Sequence, residues 1–147
     1  MRLTGALALL LALAGCDRSP EPAPIPDAET GSAPAGELVA SSESLAGEYR
    51  VAGVGGKEID LPYAITASVS ADRIHLVADC VNLAWSYHFE DGILATERVA
   101  VEGCGRGLTA EEEALAAAFD GADQVSRLPS GAYEISGRGP SAMLFTQ

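Results

Sequence analysis

The chain has 147 residues, and its 9 Lys and Arg stand against 21 Asp and Glu, for a formal net charge of −12. That length leaves room for a single domain. So acidic a chain has no basic face to neutralise phosphates, which argues against nucleic acid as a partner and against direct adhesion to anionic lipid headgroups.

The first sixteen residues have the pattern of a secretory signal that ends at a cysteine. Met1-Arg2 is a charged start, residues 3–12 are an apolar run of mainly Leu and Ala, and Leu13-Ala14-Gly15-Cys16 follows. The run is shorter than the roughly 20 residues of a membrane-spanning helix. The last four residues resemble the lipobox of bacterial lipoproteins, which implies a signal peptide of residues 1–15 and lipidation of Cys16. The alternative is an ordinary signal peptide with a chance cysteine.

Residues 16–43 are predicted to be the lipidated cysteine and a disordered linker. Pro20, Pro22, Pro24 and Pro26 alternate with other residues, which favours an extended chain. Large apolar residues are few, so this segment cannot bury enough surface to order itself. Several acyl chains on Cys16 would make a permanent membrane anchor.

Residues 44–147 are predicted to form the domain. Short runs of β-forming residues are separated by Gly, Pro and Asp turns, and they predict strands at 47–51, 57–60, 63–69, 73–79, 93–101, 133–136 and 143–146. A further strand, residues 80–89, shows the clearest alternation. Its apolar side chains are Val81, Leu83, Trp85, Tyr87 and Phe89, so one face should be buried, and we interpret it as the central strand.

One helix is predicted, from about Ala110 to Asp120. Thr109 is a suitable N-cap and Glu112 follows three residues later, which is a capping box. Leu115, Ala118, Phe119 and Ala122 form its apolar face, and Gly121 is the expected stop. Together with the Asp91-Gly92 hairpin signal, this pattern predicts an α+β fold, a curved, half-barrel-like antiparallel sheet with one short α-helix.

Cys80 and Cys104 are the two cysteines that remain if Cys16 is lipidated. An even pair in an oxidising envelope predicts a disulfide. Because Cys80 shares the face of Asn82, opposite Trp85, the bridge would lie on the outer face unless a bulge resets the alternation. Two free thiols, or a redox pair without a C-x-x-C motif, are the alternatives.

Other candidate sites are weak. The glycine-rich segment 103–107 precedes the helix as a phosphate loop would, but the three glutamates of the first helical turn would repel an anion, which favours a tight turn. His75 and His88, with nearby carboxylates, match no metal-ligand spacing, so neither a metal nor a cofactor is predicted. Ser130 and Ser141 have no evident base, and no catalytic motif is present. We therefore expect no enzyme.

One set of residues spans the predicted domain: Leu45, Gly47, Tyr49, Cys80, Asn82, Tyr87, Cys104, the glutamate-rich helix that ends near Phe119, Leu144 and Phe145. Through these residues, the chain from 45 to 147 resembles the META, or HslJ-like, domain of small bacterial envelope lipoproteins. It implies a compact half-barrel-like α+β fold, an association with stress tolerance and envelope integrity, and no established catalytic site.

The expected function is a membrane-anchored lipoprotein of the bacterial cell envelope, with a non-catalytic binding or structural domain that faces the periplasm. A protein partner is possible, although its identity does not follow from the residues. The alternative is an inhibitor of a secreted hydrolase, because small acidic lipoproteins with one disulfide resemble periplasmic lysozyme inhibitors, whose targets are basic. Residues 137–141 would then be the inhibitory loop.

Overall fold

The computed structural model describes residues 36–147. The predicted signal peptide, the lipidation site Cys16 and most of the predicted linker lie outside the described residues. None of the helices among residues 36–147 is long and apolar enough to cross a membrane.

The described chain contains ten strands and two helices. The strands are β1 (Glu37–Leu38), β2 (Gly47–Val54), β3 (Lys57–Glu58), β4 (Ile65–Val69), β5 (Arg73–Ala78), β6 (Val81–Glu90), β7 (Ile93–Val99), β8 (Ala122–Arg127), β9 (Tyr133–Gly137) and β10 (Ala142–Thr146). The helices are α1 (Ser42–Leu45) and α2 (Ala110–Asp120).

All strands belong to one antiparallel sheet with the order β1-β8-β9-β10-β2-β4-β5-β6-β7, and β3 pairs with the far end of β2. The sheet curls so that β7 comes close to β8, while α2 packs against β2, β7, β9 and β10. The predicted α+β fold, a half-barrel-like antiparallel sheet with one short α-helix, is thereby confirmed; α1 adds a single turn.

The inner face of the curled sheet forms the core with α2. In the longer strands, alternate side chains point inward, as the pleat requires, and helix α2 buries Leu115 and Phe119 against them. The largest fully buried side chains are Trp85, Tyr49, Phe119, Leu45, Ile65, Ile74, Leu76, Leu94, Leu115, Ile135 and Leu144. The face of β6 that carries Trp85 is therefore the inner face, as predicted.

The position predicted for β6 is wrong. This strand lies next to the edge strand β7, whereas the middle of the sheet is β2. Strong alternation reports that a long strand has one buried face and one exposed face. It carries no information about how many strands lie on either side of it.

The predicted hairpin at Asp91-Gly92 is confirmed. Glu90 pairs with Ile93, and both intervening residues have positive φ, 50° at Asp91 and 81° at Gly92. Asp and Gly accept this left-handed backbone at low cost, which is why the dipeptide is a strong turn signal.

Helix α2 has the predicted bounds and the predicted capping box. The hydroxyl of Thr109 accepts from the Glu112 amide, and the Glu112 carboxylate accepts from the Thr109 amide. Gly121 ends the helix, but its φ of −99° is open to any residue. Glycine is needed for space, because a Cβ there would lie 2.9 Å from the amide nitrogen of Gly139.

The folded region begins before the predicted boundary at Ser44. Strand β1 pairs with β8, and Val39 is buried while its amide donates to the carbonyl of Val125. Because β1 has only two residues, it shows no periodicity, and its composition predicted that it belongs to the linker. Strand β8 was also missed, because it starts directly after Gly121 and carries polar residues.

Candidate functional site

The disulfide lies at the end of the β5–β6 hairpin. Cys80 and Cys104 are bonded, with 5.4 Å between their Cα atoms, and the Cys104 amide donates to the Cys80 carbonyl at 3.1 Å. Cys80 occupies the turn before β6, together with Asp79, whose φ is 57°. The cysteine therefore lies outside the strand alternation and is exposed, and no bulge is needed to form the bridge.

A buried carboxylate lies beside this bridge. Glu112 is 1% exposed, and both of its oxygens accept from the guanidinium of Arg106, at 2.7 and 2.8 Å. The hydroxyl of Tyr63 donates to the same carboxylate at 3.0 Å, and the amide of Thr109 at 2.8 Å. We call these four residues the Glu112 cluster; it joins the loop after the disulfide to helix α2 and to the segment before β4.

The electrostatics of the Glu112 cluster favour its charged form. The pKa of Glu112 is lowered to about 2, mainly by the hydrogen bonds from Arg106, against the opposing effect of burial; the hydrogen bonds from Thr109 and Tyr63 contribute to the same lowering. The same pairing raises the pKa of Arg106, and burial together with the Glu112 carboxylate raises the pKa of Tyr63.

The 103–107 loop is therefore a structural turn, and it holds Arg106 against Glu112. Arg106 also donates to the carbonyls of Gly107 and Ala78. Its guanidinium is therefore engaged by groups of the protein itself, which does not favour a phosphate-binding loop. Sequence reasoning found Glu112 as a capping residue and missed Arg106. The available signal was a single arginine between two glycines, six residues before a buried N3 glutamate.

A second polar contact closes the opposite end of α2. The indole nitrogen of Trp85 donates to the carboxylate of Asp120 at 2.7 Å, and Arg98 forms an ion pair with the same group. The Arg98 guanidinium lies 5.6 Å from the centre of the Trp85 ring. The hydroxyl of Thr96 donates to the carbonyl of Phe119 at 2.6 Å. Side chains of β7 thus hold the helix where the sheet does not close.

The two histidines are not brought together. His75 pairs with Ala84 across the β5–β6 ladder, and His88 lies four residues further along β6, about 13 Å away at the usual rise per residue. Among residues 36–147, no three His, Cys, Asp or Glu side chains are grouped so that they could hold a metal ion.

The 137–141 turn, the predicted inhibitory loop, is packed against the fold. The Arg138 amide donates to the carbonyl of Gly121 at 2.8 Å, and a Cβ on Gly139 would lie 2.6 Å from the carbonyl of Ala117. The carbonyl of Ser141 accepts from the Gly55 amide at 2.7 Å. Its backbone is held by its neighbours, while Arg138 is exposed at the tip.

A shallow groove of about 220 Å³ opens on the outer face of the sheet, between strands β10, β2 and β3. Met143 and Gly53 are paired on its floor, and Glu134 and Glu58 are the next residues outward in the same cross-strand row. The groove is also lined by Ala52, Gly56, Lys57 and Ser141. Sequence reasoning did not predict this outer-face groove, because it arises from the register of four strands.

No protein-family model, curated protein or solved structure matches this chain. The resemblance to META or HslJ-like domains stays a prediction.

Proposed function

We propose that this chain is a lipoprotein of the bacterial cell envelope, anchored in a membrane through Cys16, with a non-catalytic binding or structural domain facing the periplasm. The observation that carries this proposal is Leu13-Ala14-Gly15-Cys16 after a charged start and an apolar run. In that order, these residues supply the small side chains and the thiol that lipidation and cleavage require.

The disulfide supports the predicted compartment. Disulfides form and persist in oxidising environments such as the bacterial periplasm and are rare in the cytosol. Because Cys80 is exposed at the surface, the bridge would be open to reductants in a reducing compartment.

The polar clusters support a non-catalytic domain. The carboxylate of Glu112 has the most strongly shifted acidic pKa of the described residues, yet all its bonds go to side chains and backbone of the protein itself. Asp120 is likewise engaged by Trp85 and Arg98. These groups hold α2 and its flanking loops in place, and that work is structural.

The curled sheet with one short α-helix is the architecture that the META or HslJ-like resemblance implies. It supports a role in envelope stress tolerance as part of the same proposal. The alternative, an inhibitor of a secreted hydrolase, rests on the acidic charge and on the exposed Arg138. We place it second, because the backbone of the 137–141 turn packs on the end of α2 and is not a free loop.

The anchor is tested by metabolic labelling with a palmitate analogue in a bacterial host. We expect the wild-type chain to be labelled and Cys16→Ser to remain unlabelled, since the thiol is the acceptor of the diacylglyceryl group. Cys80→Ser is the matched control and should be labelled like the wild type. Equal labelling of the wild type and Cys16→Ser would refute the lipoprotein assignment.

A further inference from the structure

The outer-face groove combines an apolar floor with acidic ends. In β10, Ala142 and Leu144 are fully buried, so Met143 between them points to the outer face. In β9, Tyr133 and Ile135 are buried in the same way, which places Glu134 on the outer face beside Met143. One end of the groove is therefore a carboxylate next to a thioether.

The gap between the strands is fixed by glycine. Gly53 pairs with Met143 on one side and with Glu58 on the other. A Cβ on Gly53 would lie 2.8 Å from the carbonyl of Lys57, so no larger residue fits while the β2–β3 turn keeps its position. Across β9, β10, β2 and β3, this row of paired residues is therefore Glu134, Met143, Gly53 and Glu58, and Gly53 leaves a gap between Met143 and Glu58. At the usual strand spacing, the two glutamate Cα atoms are about 14 Å apart.

Neither carboxylate has an ion-pair partner in the part of the chain that the structure describes, where the ion pairs are Arg98–Asp120 and Arg106–Glu112. Lys57 also lines the groove and is paired with neither glutamate. Two carboxylates and one ammonium therefore border the apolar floor, which leaves a local charge of −1.

We propose that this groove binds a single basic side chain, an arginine or lysine, presented by a protein partner. The aliphatic stem of such a side chain would lie on Met143 and Ala52, and its cation would reach Glu134 or Glu58. The volume is below the roughly 300–1,000 Å³ of pockets that take drug-sized ligands. A side chain therefore fits, and the rest of the partner stays outside. The net charge of −12 would attract a basic partner over a longer range.

This inference rests on the proposed binding role of the domain but not on the lipid anchor. Palmitate labelling can fail while the groove binds, and the reverse also holds. The two failures are therefore distinguishable.

The test uses the methyl group of Met143 as its reporter. The chain has two methionines, Met1 and Met143, so ¹³C-methyl-methionine labelling of the purified full chain in detergent gives an NMR signal from the groove floor. The probe is the tripeptide acetyl-Gly-Arg-Gly-amide. Its control contains citrulline in place of arginine, which keeps the shape of the side chain and removes the charge. We expect a saturable shift of the Met143 signal with the arginine peptide and no such shift with citrulline.

The variant Glu58→Gln/Glu134→Gln should weaken binding by about two- to fivefold, because it removes the one exposed ion pair that a single cation can form with either glutamate. Glu90→Gln/Asp91→Asn changes the net charge equally at the β6–β7 turn and should bind like the wild type. The proposal is overturned if the Met143 signal shows no saturable shift, if citrulline shifts it equally, or if both double variants lose the same affinity.

Discussion

Trp85 joins the core to the polar contacts at the end of α2. Its ring is fully buried and stacks on Phe119, with 4.9 Å between the ring centroids, while its nitrogen bonds to Asp120. Its neighbour Ser86 lies on the outer face of the same strand, with partial exposure. Substitutions of Trp85 and Ser86 therefore test the inner and the outer face of β6 against each other.

We expect Trp85→Ala to lower the free energy of unfolding by about 3–5 kcal/mol, because it opens a core cavity and leaves Asp120 with one partner fewer. A domain of this size has a total stability of about 5–15 kcal/mol, so the variant should lose a large fraction of it. Ser86→Ala should change stability by less than about 0.5 kcal/mol. Urea melts of both variants measure this difference. A wild-type melt for Trp85→Ala would contradict the assigned faces of the strand.

Glu112 makes stability depend on pH. Its pKa is about 2 in the folded protein, below the ordinary value of 4.5. A carboxyl group with a lowered folded pKa contributes stability that is fully present above its unfolded pKa and is lost as pH falls through its folded pKa. The contribution of Glu112 should therefore disappear between about pH 4.5 and 2.

Glu112→Gln tests this dependence. At pH 7, we expect a loss on the order of 3 kcal/mol, because Arg106 keeps its charge without a carboxylate. The stability difference from the wild type should shrink as pH falls from 4.5 to 2, which urea melts across that range would show. Glu113→Gln, an exposed neighbour in the same helical turn, removes the same charge and should leave the wild-type pH profile unchanged. A constant difference between wild type and Glu112→Gln would contradict the assigned pKa.

At the scale of elements, a helix or strand could be predicted where its caps or its hydrophobic periodicity lie within one continuous stretch of sequence. Helix α2 carries a cap, a capping-box partner and an apolar face in one stretch, and β6 carries nine alternating residues, so both could be located from the sequence. Strand β1 is too short to show a period. Strand β8 could not be predicted because it depends on pairing with β9, and this pairing is seen only in the folded sheet.

The sites were harder to predict than the elements. The disulfide could be predicted by counting the cysteines, once an oxidising compartment was expected. The contact between Arg106 and Glu112 depends on how a loop of irregular backbone turns back onto a helix. The outer-face groove depends on the register of four strands, and strand register is fixed by long-range pairing that no local pattern encodes.

The end of α2 and the 137–141 turn lie in close contact because Gly139 has no side chain. A Cβ on Gly139 would lie 2.6 Å from the carbonyl of Ala117, closer than a side chain can come to backbone, whereas a Cβ on Gly105 would meet nothing within 4 Å. We expect Gly139→Ala to cost about 1–3 kcal/mol because the helix and the turn must move apart.

Gly105→Ala should change stability by less than about 0.5 kcal/mol. Thermal melts of the two variants compare the same change at a crowded and at an open position. Similar melting temperatures would contradict the close contact between helix and turn.

At the scale of the whole molecule, the two faces of the sheet have different tasks. The inner face and α2 share one core, and both polar clusters hold α2 at its ends. The outer face carries the groove, most of which lies on β2, β9 and β10, whose inward side chains are fixed in the core. A rigid scaffold beneath a small surface site favours binding with little rearrangement.

The middle of the sheet joins residues that are far apart in the chain. Thr146 pairs with Tyr49, and the pairing of β10 with β2 is the link between the β1-β8-β9 half of the sheet and the β4-β5-β6-β7 half. During synthesis, β10 is the last of the ten strands to leave the ribosome. No strand pairing therefore joins the two halves until residues 142–146 are free. The sheet can be completed only after β10 has been synthesised.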